Sequence, residues 1–290
     1  MIIKIENVVF LILCHICQYM RFKIVLLVRN SFGDILPVSY QYELSSCIYR
    51  KLTENHSLYL DWLNNNHLSE ESNFKYKLFS LSNFYIPKIK VDNDRLRIMT
   101  HKIQFWISFL PESGTEQFLC SALLNQSILI GDKHSKVEFL VDSIQNVSKD
   151  SFSHSIDYLS LSPIVVSSVR PNKSVEYIAP SNPHYCEMLL TDLLDKYAHF
   201  YGHTFPYPSD FSFQLLSAPK RKGIYIKRFT QEEAKVIGYM YKFRIQVHPK
   251  LHELIYNTGL GDKIGLGFGC VEMLSDDHNQ ANQSPLETIR

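Results

Sequence analysis

The chain has 290 residues, enough for one large or two small domains with a sizeable core. Hydrophobic residues make up 45% and charged residues 20%, an ordinary globular balance that argues against a disordered chain. The net charge of +1 supplies no global field for nucleic acid, so any such binding must come from local basic patches.

Residues 1–19 open the chain oddly. Val8 to Cys17 is apolar but too short for a membrane span, which needs about 20 residues. No A-x-A-like cleavage site follows, as a signal peptide would require. The segment reads as an upstream extension, with Met20 an alternative start, because the strand pattern begins at once with Arg21. Cys14 and Cys17 stand in C-H-I-C without a second pair to complete a zinc site. The six cysteines read as reduced thiols of a cytoplasmic protein, and no metal, cofactor or membrane is expected.

Arg21 to Arg29 (RFKIVLLVR) is apolar and rich in β-formers. Tyr40 to Leu52 has helical spacing, with Leu44, Ile48 and Leu52 on one face and Tyr49 beside them. A second helical segment, Leu58 to Leu63, is followed by the polar stretch Asn64 to Ser72. Phe74 to Phe84 alternates as a half-buried strand does. Lys88 to Met99 and Lys102 to Phe109 read as strands with a turn at Asn93 and Asp94. Glu112 to Leu124 is helical, and Lys133 to Ser148 closes the first half as a strand.

The second half opens near Leu159 with L-S-P-I-V-V, read as a strand. Asn182 to Tyr201 is the longest helical pattern, marked by Leu189, Leu190, Leu193, Leu194 and Tyr197. Phe211 to Ser217, Gly223 to Phe229 and Lys235 to Val247 are predicted strands. A helix over His248 to Thr258, a glycine-rich loop and a strand over Phe268 to Leu274 complete the half. Asp276 to Arg290 is polar and aperiodic, as a disordered tail would be.

Each half thus runs strand, helix, strands, helix, strand. That is the order of the β-α-β-β-α-β ferredoxin-like unit, here with extra β-hairpins. The expected fold is α+β with two tandem ferredoxin-like domains, over 20–150 and 151–275. The 17 tyrosines and 18 phenylalanines suit such sheets.

The loop reads G-L-G-D-K-I-G-L-G-F-G and holds five of the chain's eleven glycines: Gly259, Gly261, Gly265, Gly267 and Gly269. Such density costs backbone entropy but permits positive φ and a close approach by another group. Two readings stand: a phosphate-holding loop, or a turn that reverses the chain. It is not a P-loop, since no glycine precedes Lys and Ser or Thr, and it follows a helix rather than opening one.

Three features together resemble the CRISPR-associated Cas-six endoribonucleases of the RAMP superfamily. They are the glycine loop followed by Cys270-Val271-Glu272, the opening M-R-F-K-I-V-L with the Tyr-rich helix YQYELSSCIYRKL and F-K-Y-K-L-F-S-L-S, and L-S-P-I-V-V. The likeness spans roughly Met20 to Leu274. It implies two ferredoxin-like domains and metal-independent cutting of CRISPR repeat RNA. It also implies attack by the ribose 2′-hydroxyl, and a Tyr, His and Lys set in the first domain. Tyr49 and Lys77 match that set, whereas the usual histidine position holds Asn64, which cannot shuttle a proton. His67 lies three residues on and is the candidate acid or base, with His56 as the alternative. A second outcome also stays open: a non-catalytic subunit that only holds repeat RNA among other Cas subunits. Each residue keeps a plainer reading: Tyr49 as a packed ring, Lys77 as a solvated strand lysine, His67 as an exposed loop residue.

The candidate RNA contacts come from local charge. Lys220, Arg221 and Lys222 cluster at a turn, Lys227 and Arg228 follow, and Tyr225 and Phe229 interleave as stacking faces. Arg170 and Lys173 extend the patch, and Lys263 within the glycine loop is set to meet a phosphate. The same basic run also reads as an ordinary hairpin. The expected state is a monomer or homodimer.

Overall fold

In the computed structural model, the described residues are 20–65, 79–110, 114–149, 151–207 and 210–274. The first half comprises β1 (Met20–Arg29), β2 (Ile35–Pro37), α1 (Gln41–Glu54), α2 (His56–Asn65), β3 (Phe79–Leu81), β4 (Ile89–Asp92), β5 (Arg95–Ile98), β6 (Lys102–Phe109), α3 (Thr115–Leu123), β7 (Ser127–Gly131) and β8 (Lys136–Asn146). The second comprises β9 (Ser155–Ser160), β10 (Ser167–Val169), β11 (Val175–Tyr177), α4 (Tyr185–Tyr201), β12 (Ser212–Leu215), β13 (Lys220–Ile226), β14 (Ala234–Met240), β15 (Lys242–Gln246), α5 (Pro249–Thr258) and β16 (Val271–Met273).

The first sheet has the order β3-β6-β1-β8-β7 and the second β12-β15-β9-β16. Among the core strands, each places its first strand between its third and fourth, the ferredoxin-like arrangement twice over. In β1 the two-residue period buries Phe22, Ile24 and Leu26 on the helix side and turns Arg21 to the other face. Leu44, Ile48 and Leu52 of α1 cover that core, each stabilising by roughly 1.5–3 kcal/mol on burial. The second core gathers Tyr158 of β9, Phe243 and Ile245 of β15, Leu189 and Leu193 of α4 and Leu251 and Leu254 of α5. The expected extra hairpins are β4–β5, β10–β11 and β13–β14.

Several sequence expectations change, among them the turn expected at Lys220, Arg221 and Lys222, which instead pair with β14 as the start of β13. The run Lys235 to Val247 is not one strand: it breaks at Tyr241, because β14 pairs with β13 whereas β15 pairs with β9 and β12. The strand near Leu159 spans Ser155–Ser160, and all of L-S-P-I-V-V, Leu161 to Val166, lies beyond it. Pro163 has no N–H to give to a ladder. Only an isolated bridge, Ile164 to Tyr239, follows it. Strands β2, β7, β10 and β11 carry too few residues or too weak an alternation to stand out in the sequence. The upstream extension, the C-terminal tail and residues 74–78 of the strand expected over Phe74 to Phe84 lie outside the described residues. Among the described residues no helix is long and apolar enough to cross a membrane.

Candidate functional site

The site is built on α1. Along one flank of this helix Gln41, Ser45 and Tyr49 recur at four-residue intervals and so form a row. The glycine loop lies on that row. Ser45 Oγ donates to the Gly265 carbonyl at 2.6 Å. Gly267, at φ +90°, comes so close to the helix that a Cβ there would stand 2.8 Å from the Gln41 carbonyl oxygen. Tyr49 sits one turn beyond Ser45, half-buried against the first core. The start of the helix is held by Tyr40, whose ring stacks on Phe84 at 4.8 Å and whose hydroxyl accepts from Phe84 N–H at 2.7 Å. Burial pushes that phenol well above its ordinary pKa.

The other side of the loop is held by the second half. Asp262 N–H donates to the Val165 carbonyl at 2.7 Å and Gly269 N–H to the Pro163 carbonyl at 3.0 Å. A Cβ on Gly261, at φ +83°, would stand 2.3 Å from the Val165 oxygen. The buried ammonium of Lys196 donates to the Gly261 carbonyl at 2.7 Å and to Asp192 at 2.6 Å. Close packing therefore accounts for both glycines: Gly261 against Val165 within the second half, and Gly267 against Gln41 across the seam between the halves. Lys263 is half-buried, at φ +59°, and among the described residues no carboxylate pairs with it.

A buried arginine locks the two halves together behind the loop. Arg21 of β1 donates Nη1 to Glu272 at 2.7 Å and Nη2 to the Val271 carbonyl at 2.6 Å. Its Nε reaches Ser108 Oγ at 2.7 Å, and the guanidinium lies 3.7 Å over the Tyr256 ring. Arg21 carries no sequence signal of this role, because its partners are 87 to 251 residues away.

The basic hairpin divides into two kinds of charge. Lys220, Arg221 and Lys222 are exposed, and among the described residues none makes an ion pair. Lys227 pairs with Glu232, and Arg228 Nη2 lies 2.7 Å from Asp94 of the first half. The hydrogen bond from Arg228 holds the Asp94 carboxyl below its ordinary pKa. Lys235 lies 5.1 Å from the Tyr225 ring, a cation beside an aromatic that the sequence reading leaves out. Lys133 of the β7–β8 turn stands 4.3 Å over the Phe229 ring. Glu43 of α1 is pushed up to about 7 by burial, with Asp132 adding to the rise and Arg228 opposing it. Arg170 pairs with Glu176 at 2.9 Å.

Asn64 is exposed in the last turn of α2, just past Trp62, which stacks on Phe118 at 4.6 Å and donates Nε1–H to Thr115 Oγ1 at 2.9 Å. His56 is exposed at the opposite end of that helix. His67 and Lys77 lie outside the described residues.

Paired ferredoxin-like sheets, closed across their seam by a glycine-rich loop, are the fold this chain shares with solved structures described as RAMP and Cas6 proteins. The likeness to the Cas6 family is carried by the second half of the chain. Residues 147–273 match the family described as CRISPR associated protein Cas6, C-terminal. The CRISPR-associated endoribonuclease Cas6 of Pyrococcus furiosus is 26% identical over 238 residues, covering 82% of this chain and 83% of the relative. The CRISPR-associated endoribonuclease Cas6 1 of Methanocaldococcus jannaschii is 25% identical over 253 residues, covering 86% and 91%. A solved structure described as a RAMP protein binding different RNA substrates superposes with a TM-score of 0.72 at 23% identity, covering 88% of this chain and 100% of its own.

Proposed function

We propose that this chain is a metal-independent endoribonuclease that cuts CRISPR precursor RNA within its repeats to release guide RNAs. The observation that carries this reading is the closure of the glycine loop onto the α1 flank that bears Tyr49. Both curated relatives named above are endoribonucleases by name.

In this reading the ribose 2′-hydroxyl attacks the adjacent phosphate. The products are a 2′,3′-cyclic phosphate and a 5′-hydroxyl. Such a step needs a base at the 2′-oxygen, an acid at the 5′-oxygen and a cation for the crowded phosphate. Tyr49 and His67 supply the proton transfers and Lys77 the cation. Residues 20–150 carry these groups. Residues 151–275 hold the RNA backbone along Lys220, Arg221 and Lys222, with Lys263 at the loop.

Cleavage of labelled repeat RNA in EDTA tests the proposal. His67→Ala or Lys77→Ala should lower the single-turnover rate about 10²-fold or more while RNA binding persists. If both variants cut at the parental rate, the assignment of the site is wrong.

Asn64, at the position where the resemblance expects histidine, favours a second reading. There the protein holds the repeat handle inside an effector complex with other Cas subunits and does not cut. A gel of purified protein with labelled repeat separates the two: one discrete product supports the enzyme, and a shift without product supports the subunit.

A further inference from the structure

The end of the second half remote from the glycine loop carries a cluster of rings that the proposed site does not use. Tyr207 and His248 are stacked with centroids 4.4 Å apart and planes 4° from parallel. Phe205 meets both edge-on, at 5.5 Å each. His154 approaches His248 at 5.9 Å, and Lys250 Nζ lies 5.7 Å from the Tyr207 centroid. Tyr207 is 43% exposed although one face rests on an imidazole. Among the described residues neither His154 nor Lys250 makes an ion pair.

The rings are fixed from below. His248 caps α5, its Nδ1 accepting from Lys250 N–H at 3.3 Å, and Pro249 follows at the first helical position. Phe205 rests on Tyr197 of α4 at 4.9 Å. The platform therefore needs little ordering before a third ring joins it. A planar ring added to a preformed stack, with an ammonium and two imidazoles around it, meets the chemistry of a nucleobase and its phosphate. A paired base could not enter, because its faces are already covered by its neighbours.

We infer that Tyr207 and His248 form a second RNA contact, which stacks an unpaired nucleotide lying outside the segment held at the glycine loop. Lys250 and His154 flank its phosphate. The inference rests on the proposed RNA-binding reading and deepens it. The two contacts lie at opposite ends of α5, whose ten residues span about 15 Å. The RNA bound is accordingly longer than the segment that is cut, and its flank is single-stranded.

Fluorescence anisotropy with two labelled RNAs tests this: a repeat alone, and the same repeat with unpaired flanking nucleotides. The parental protein should bind the longer RNA more tightly. Tyr207→Ala should weaken the longer RNA about tenfold and leave the shorter one unchanged. Tyr207→Phe keeps the ring and should retain the affinity. His248→Asn keeps a capping acceptor but removes the stacked ring, so it should match Tyr207→Ala. Base-pairing the flank with a complementary strand should abolish its gain. Equal binding of both RNAs by Tyr207→Ala, His248→Asn and parent overturns the inference. So does an equal loss on both RNAs that follows a fall in melting temperature, which is what a purely structural stack would produce. If the parental protein binds neither RNA, the RNA-binding reading itself has failed.

Discussion

The glycine loop and the basic hairpin β13–β14 look alike in sequence as places for RNA phosphates, but the fold treats them differently. Much of the loop faces the protein: several of its carbonyls and N–H groups bond within the chain, and two of its glycines are where other backbones come closest. The hairpin divides along its length. At the start of β13 three cations stand exposed and, among the described residues, without ion pairs, and at its far end Lys227 and Arg228 are neutralised by Glu232 and Asp94. Local sequence density thus marks where something happens. The distant partners determine whether a group is left for a ligand.

The contrast between seam and surface can be broken in order of expected effect. Arg21→Ala removes one member of a buried pair and leaves Glu272 without its partner; it should cost about 3–5 kcal/mol in urea denaturation. Gly267→Ala puts a Cβ against the Gln41 carbonyl at positive φ; it should cost about 2 kcal/mol or more, seen in the same assay. A loop whose glycines only served RNA would show neither loss of stability nor separation of the halves.

On the hairpin the effect should fall on RNA rather than on folding. Replacing Lys220, Arg221 and Lys222 together by alanine should leave melting unchanged and reduce the slope of log affinity against log salt by about 2. Arg228→Ala should change that slope less and lower the melting temperature instead, since its partner is Asp94. Equal slopes for the two variants would erase the distinction drawn between the ends of the hairpin.

The smallest effect concerns Glu43. Its carboxyl is raised to about 7 in the folded protein from an ordinary value of 4.5, so folding favours the protonated form. The stability from this group is complete below about pH 4.5 and is lost as pH rises towards 7. Glu43→Gln should flatten the pH dependence of stability across that window and make the protein more stable at pH 8. A variant with the parental pH profile would show that the carboxyl is solvated.

The sequence by itself determined the two repeats of strand and helix, because core-facing periods of two and of about four residues are local. It supported α1 with Leu44, Ile48 and Leu52 inward, the long helix α4, and the family resemblance carried by the glycine loop. It marked Tyr49 correctly as a residue beside the apolar face, yet could not show that the glycine loop closes beside it. Only the tertiary structure decided that β14 and β15 part at Tyr241, that Arg21 clasps Glu272, and which hairpin cations are paired. The physical reason is range. A hydrophobic face is written within one turn or one strand, whereas an ion pair between residues 251 positions apart exists only after both halves have folded against each other.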